Sequence, residues 1–198
     1  MAYTHNWNHQ FIQNTSQVPK KSINFCLEIG SFEGLTSNYI VENLLSENGK
    51  LFCVDPLTNV YLNENLTETD IKNNETIYKY FNNQYDRFLE NTKNNSGKIN
   101  LIRKPSSEAY PELLEKFKES FDLIYIDGDH RASAVYLDAV NCFELCKKGG
   151  IILFDDYSWG KEIYSSEATS YGIDKFTQEY DDKIQITLKD YQLAIYKK

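Results

Sequence analysis

With 198 residues, 41% of them hydrophobic, 25% charged and 14% aromatic, the chain can bury one proper core, which excludes a disordered polymer and argues against two domains. Its net charge of −8, with Lys and Arg scattered, disfavours nucleic acid as the main partner, because phosphate binding draws on a basic face. No apolar run approaches a bilayer span and no charged-then-apolar leader pattern is present, so a soluble, cytoplasmic protein is expected.

In chain order, an N-terminal arm (1–22) carries His5 and His9 on either side of Trp7 and reads as a packing arm or a lid, without a catalytic part. Residues 23–28 form a short apolar run ending at an acid, the mark of a buried strand. Gly30 and Gly34 follow, then a helical stripe of Ile40, Val41, Leu44 and Leu45 that Gly49 should stop. A second strand, 50–54, ends at Asp55-Pro56. The stretch 57–97 is rich in Asn, Thr, Lys and Glu; within it Ile77, Tyr80, Phe81 and Phe88 keep a helical stripe over 76–91. A loop followed by a surface helix is expected there, as a lid or as a solvated insertion.

Strands at 99–103 and 121–126 come next, followed by a helix marked by Val135, Ala139, Cys142, Phe143 and Cys146 and closed by Gly149-Gly150. A fifth strand covers 151–154. This alternation implies parallel βαβ units with right-handed crossovers. A helix over 169–180 then precedes two strands, 184–188 and 192–196, joined by a turn at Lys189-Asp190-Tyr191, which predicts a terminal antiparallel hairpin. The fold class is α/β, as a single domain spanning 1–198. The four cysteines, Cys26, Cys53, Cys142 and Cys146, lack metal or redox spacing and read as buried, reduced thiols.

Two places carry chemistry. Glu28-Ile-Gly-Ser-Phe-Glu-Gly34 joins the first strand to the first helix, where glycines let a ligand approach main-chain N–H groups. Its spacing is neither the GxGxxG of dinucleotide enzymes nor a P-loop, which leaves a nicotinamide-dependent oxidoreductase as a minor alternative. Asp55, ending the second strand, is placed to accept hydrogen bonds from both ribose hydroxyls of an adenosine; the competing reading is a turn former. Further along, Asp127-Gly-Asp-His130 and Asp155-Asp156 end neighbouring strands and should converge on one crevice. Asp127, Asp155 and Asp156 form an all-oxygen set that suits a hard divalent cation, Mg²⁺ first; the plainer reading is helix and turn caps.

The segments CLEIGSFEGLTSNYIVENLL, LFCVDP, FDLIYIDGDH and KKGGIILFDDYSWG resemble the successive motifs of class I S-adenosylmethionine-dependent methyltransferases, in the branch of catechol-type and macrolide-sugar O-methyltransferases. The resemblance implies a Rossmann-like, seven-stranded, mostly parallel sheet ordered 3-2-1-4-5-7-6, with S-adenosylmethionine where strands 1 and 4 diverge. It implies that Glu28, Gly30 and Gly34 line the methionine and ribose side, with Asp55 on the ribose hydroxyls and Pro56 and Leu57 beside adenine; Ser31 and Asp127 are further implied cofactor contacts. Ser106 and Ser107, in a loop after strand 3, would be polar contacts to adenine, although Lys104 stands where the family usually has Gly. The family's metal-dependent members place acids at Asp127, Asp155 and Asp156; catechol-type enzymes have Asn at the third position, so Asp156 follows the sugar-modifying relatives. Relatives carry a Lys or His base at the position of His130, with Asp129 as its competitor. The expected activity is methyl transfer to a small hydroxylated acceptor, a sugar or a phenol. The alternative is a catalytically silent protein that binds cofactor or a partner. A homodimer is left open.

Overall fold

The computed structural model describes residues 3, 6–57, 83–160 and 167–198. His5 and residues 58–82, including Ile77, Tyr80 and Phe81 of the expected stripe, lie outside them. The elements are α1 (His9–Asn14), β1 (Ile23–Ile29), α2 (Leu35–Tyr39, continued by a π turn Ile40–Leu44), β2 (Leu45–Val54) and α3 (Gln84–Thr92). They continue as β3 (Ile99–Ile102), α4 (Ser106–Phe117), β4 (Phe121–Ile126), α5 (Ala132–Leu145), β5 (Cys146–Phe154), α6 (Thr169–Glu179), β6 (Ile184–Lys189) and β7 (Leu193–Lys197).

The seven strands form one sheet ordered β3-β2-β1-β4-β5-β7-β6, with β7 antiparallel to both neighbours and the other pairs parallel. The central strands are covered on both faces, which explains their near-continuous apolar runs. Alternation still sorts the side chains. Leu27, Ile29, Ile124 and Ile126 join one cluster with Tyr110 and Leu113 of α4, Ala139 of α5 and Phe176 of α6. Cys26, Leu123 and Tyr125 point the other way, to Phe11 of α1, Ile40 and Leu44 of the π turn, and Phe88 of α3. Each fully buried Leu or Ile contributes roughly 2 kcal/mol. All four cysteines are buried and free.

Three expectations are corrected. Leu45 and Cys146 read as the last members of helical stripes, yet each turns extended and becomes the first residue of a strand, paired with Ile23 and Phe121. Both are completely buried, so an apolar side chain is demanded there whichever element supplies it. The segment after β3 is not a loop through residue 111: α4 begins at Ser106 and runs through Pro111. The helix expected at the surface near residue 90 is half sunk, with Gln84, Phe88, Asn91 and Thr92 buried.

Candidate active site

The carboxyl ends of β1 and β2 meet through main-chain bonds. Gly30 donates its N–H to Val54 O at 2.9 Å, and the N–H of Asp127, just past β4, reaches Ile29 O at 2.8 Å. Gly30 has φ +85°, and a Cβ there would lie 2.0 Å from Asp127 O, so only glycine lets the strands close on one another. Asp55 Oδ2 accepts the N–H groups of Ser31 (2.8 Å) and Phe32 (2.9 Å), and Oδ1 accepts that of Leu57 (2.7 Å). A carboxylate offers about four acceptor sites, so three are filled and roughly one, on Oδ1, stays open. Burial raises the Asp55 pKa against the pull of these three donors.

Glu28 is fully buried beneath the loop. Its Oε2 accepts the hydroxyl of Ser37 and the thiol of Cys53 (3.4 Å), while Oε1 and the Ser31 hydroxyl have no hydrogen-bond partner among the described residues. Burial outweighs the neighbouring Ser37, Cys53 and Ser31 side chains and pushes the Glu28 pKa up to about 7. Gly34 opens α2, and α3 packs over it: Asn91 Nδ2 donates to Glu33 O at 3.0 Å, and Arg87 pairs with Glu33 at 2.8 Å. Ser106 donates to Asp138 Oδ1 at 2.7 Å, the same oxygen that accepts the Tyr110 hydroxyl, whereas Ser107 is exposed. Asp138 is buried, and its pKa is pushed up to about 6 by desolvation.

The acidic end is made of side chains. The Tyr125 hydroxyl bonds Asp155 Oδ2 and lies 3.2 Å from Asp127 Oδ2. Asp155 Oδ1 accepts the amide of Gln192 at 2.8 Å, and Asp156 Oδ1 accepts the Tyr191 hydroxyl. His130 Nε2 stands 3.3 Å from Asp156 Oδ2, and its ring lies 5.4 Å from that of Trp159. Asp127, His130 and Asp156 each bring a ligand atom within 4.8 Å of the others. That grouping differs from the expected one: His130 joins it, and Asp155 has both oxygens engaged elsewhere. Desolvation first, then the carboxylates of Asp155 and Asp156, raises the Asp127 pKa well above the usual range. Asp156 is raised too, by burial first, with the Tyr191 hydroxyl opposing and the Asp155 charge adding. Asp129 is taken up by Arg131, through its backbone N–H at 3.0 Å and its guanidinium.

Non-glycine residues with positive φ occur at both ends of the sheet, Lys21 and Glu119 at the end away from this site among them. Among the described residues, Phe32, Leu57 and Asp156 hold positive φ (46°, 48° and 52°) just beyond β1, β2 and β5. Sequence reasoning missed Tyr125, Tyr191, Gln192 and Asn14. Tyr125 was within reach, because it stands two residues before Asp127 on the same strand face. The others come from remote parts of the chain and carry no local signal.

A family model described as a methyltransferase domain matches residues 27–157. The chain belongs to this methyltransferase-domain family, as its motifs implied. An uncharacterized protein, R132, of Acanthamoeba polyphaga mimivirus is 26% identical over 155 residues, covering 77% of this chain and 61% of that protein. The chain thus spans about three fifths of that relative's length. An O-methyltransferase from Bacillus cereus, solved in complex with SAH, superposes with a TM-score of 0.67 at 17% identity, covering all of this chain and 84% of that one. The O-methyltransferase TomG of tomaymycin synthesis, from Streptomyces achromogenes and solved with SAM, gives 0.66 at 12% identity, over all of this chain and 82% of that one. Likeness at these identities fixes the fold. Among the described residues, no helix is long and apolar enough to cross a membrane.

Proposed function

We propose that the protein is a soluble, cytoplasmic S-adenosylmethionine-dependent O-methyltransferase of a small hydroxylated acceptor, a sugar or a phenol, assisted by a divalent cation, Mg²⁺ first. One observation carries this reading: the glycine loop pinned to Asp55 and the cluster of Asp127, His130 and Asp156 sit at the carboxyl ends of adjoining strands. In a sheet of this kind, that is where ligands bind.

The residues fit both groups. Gly30 leaves no side chain between β1 and β4, Asp55 keeps about one free acceptor site beside the loop, and Glu28 and Ser31 keep polar atoms under it that have no partner among the described residues. The paired carboxylates of Asp127 and Asp156, with no thiolate beside them, suit a hard cation. S-adenosylmethionine, when bound, supplies the methyl group, and a cation supplies charge that acidifies and orients an acceptor hydroxyl. Asp127 and Asp156 would hold the cation. His130 takes the acceptor's proton, and Asp156, 3.3 Å away, stabilises the imidazolium that results. Trp159 limits the tilt of the imidazole, so the base arrives oriented.

The whole chain, 1–198, acts as one catalytic domain. Trp7 of the N-terminal arm and helix α3 border the acceptor side, a reading supported by Trp7 stacked on Phe32 of the glycine loop at 5.8 Å and by α3 lashed to Glu33. The net charge of −8 supports a small molecule over nucleic acid.

The first test is a thermal shift with S-adenosylhomocysteine against NAD. The former should raise Tm and the latter leave it unchanged, since only a ligand of the folded state stabilises it. Methyl transfer to a panel of sugars and phenols, with and without Mg²⁺, then reads the acceptor class; turnover unaffected by EDTA would remove the cation from the scheme.

A further inference from the structure

The acidic cluster is tied to two side chains, Asn14 and Gln192, to which the mechanism above gives no part. Gln192, immediately before β7, is fully buried. Its Oε1 accepts from Asn14 Nδ2 at 2.7 Å, and its Nε2 donates to Asp155 Oδ1 at 2.8 Å. The two ends of an amide are not interchangeable: once Asn14 donates to the oxygen, the nitrogen has to face Asp155. The other Asp155 oxygen takes the Tyr125 hydroxyl, and the Tyr125 ring lies 4.5 Å from Phe11. Helix α1 therefore grips both partners of Asp155, through Asn14 on one and Phe11 on the other.

We propose that Asn14 and Gln192 are positioning residues that hold Asp155 as a brace, turned away from the cation, so that Asp127 and Asp156 form the metal-binding face. This rests on the metal-assisted reading above and assigns α1 a part in it. Asp155 then works through its neighbours: it orients the Tyr125 hydroxyl, which lies beside Asp127, and its charge is satisfied by Gln192. Partners of this outer kind typically alter metal affinity by about 10- to 100-fold when lost.

The experiment titrates Mn²⁺ into the full chain, followed by electron paramagnetic resonance, and measures S-adenosylhomocysteine affinity in parallel. Asn14→Asp changes one atom, but it offers Gln192 an acceptor in place of a donor. The amide then turns and sets its oxygen against Asp155. Gln192→Leu removes the link altogether. Both variants should bind Mn²⁺ about 10- to 100-fold more weakly while holding S-adenosylhomocysteine within about threefold of the parent. Parent-like Mn²⁺ affinity in both variants would overturn the brace and leave the metal reading standing. A parallel fall in Mn²⁺ and S-adenosylhomocysteine affinity and in Tm would also overturn it, in favour of a general folding role. A parent chain that binds no Mn²⁺ would remove the metal reading and the brace together, before any variant is compared.

Discussion

The two ends of the crevice are held by different kinds of bond. At the β1–β2 end, Asp55 is gripped by three main-chain N–H groups and Gly30 touches the backbone of Asp127, so the geometry is fixed by the path of the chain. At the β4–β5 end, three carboxylates are held by the side chains of Tyr125, Tyr191 and Gln192, and burial, with the charges of Asp155 and Asp156 adding to it, raises the pKa of Asp127. A backbone cradle keeps its shape through most side-chain changes and fails when the backbone is strained. A side-chain cluster fails piecemeal, because each partner lost leaves a polar group without its bond.

The sharpest break in that contrast is Gly30→Ala. The left-handed backbone adds roughly 1–2 kcal/mol and the clash with Asp127 O about as much again or more, for a total of about 4 kcal/mol. Urea unfolding should register this together with loss of S-adenosylhomocysteine binding. A loss below about 1 kcal/mol would mean that the strands do not close on one another as described.

Glu28 is the exception within the backbone-built end, a buried side chain whose pKa rises to about 7. The folded chain keeps this proton while the unfolded chain gives it up near pH 4.5, so the stability it contributes is intact below that pH and is lost as pH climbs through about 7. The difference amounts to about 3 kcal/mol, at 1.36 kcal/mol for each pH unit. Glu28→Gln removes the titration. Its stability relative to the parent should improve by about that amount between pH 4 and pH 8, read by chemical unfolding at each pH. A constant gap would show that Glu28 is ionised in the fold.

The same contrast explains what could be read from the sequence. The glycine turn, the acid ending the second strand and the alternation of strands with helices are local or periodic features, legible because main-chain geometry demands particular residues at particular places, whereas the order of the strands came from the family resemblance alone. The acids were legible as strand-end clusters, but their division of labour was not: Asp155 and Asp156 are adjacent, and only Gln192 and Tyr191, far along the chain, tell them apart. Leu45 and Cys146 misled for a related reason, since complete burial looks the same in a helix and in a strand. Ser106 was picked out as a polar contact, yet its hydroxyl faces Asp138, a residue on another helix that no local pattern connects to it.

At the side-chain end, His130 admits a sharper division. As a base it should lose about 100-fold in kcat on His130→Ala, lose one limb of the pH–rate profile, and keep Mn²⁺ affinity within about threefold. The 4.8 Å grouping with Asp127 and Asp156 favours a second role, that of a third ligand. In that case Mn²⁺ affinity falls along with the rate, and one Mn²⁺ titration on the variant separates the two roles.

The smallest effect belongs to Asp129, the competing base. Its carboxylate is bound by Arg131 through the backbone N–H and the guanidinium, and the Arg131 side chain is 64% exposed. An ion pair this exposed contributes only about 0.2–1 kcal/mol. Asp129→Asn keeps an acceptor for the Arg131 N–H, so the turn after β4 should survive with a stability loss under about 1 kcal/mol. Methyl transfer should stay within about threefold of the parent, with both limbs of the pH profile in place. A 100-fold loss would instead transfer the proton from His130 to Asp129, and the Arg131 pair would then have to open in the reacting complex, making this stretch of the side-chain end the part that moves.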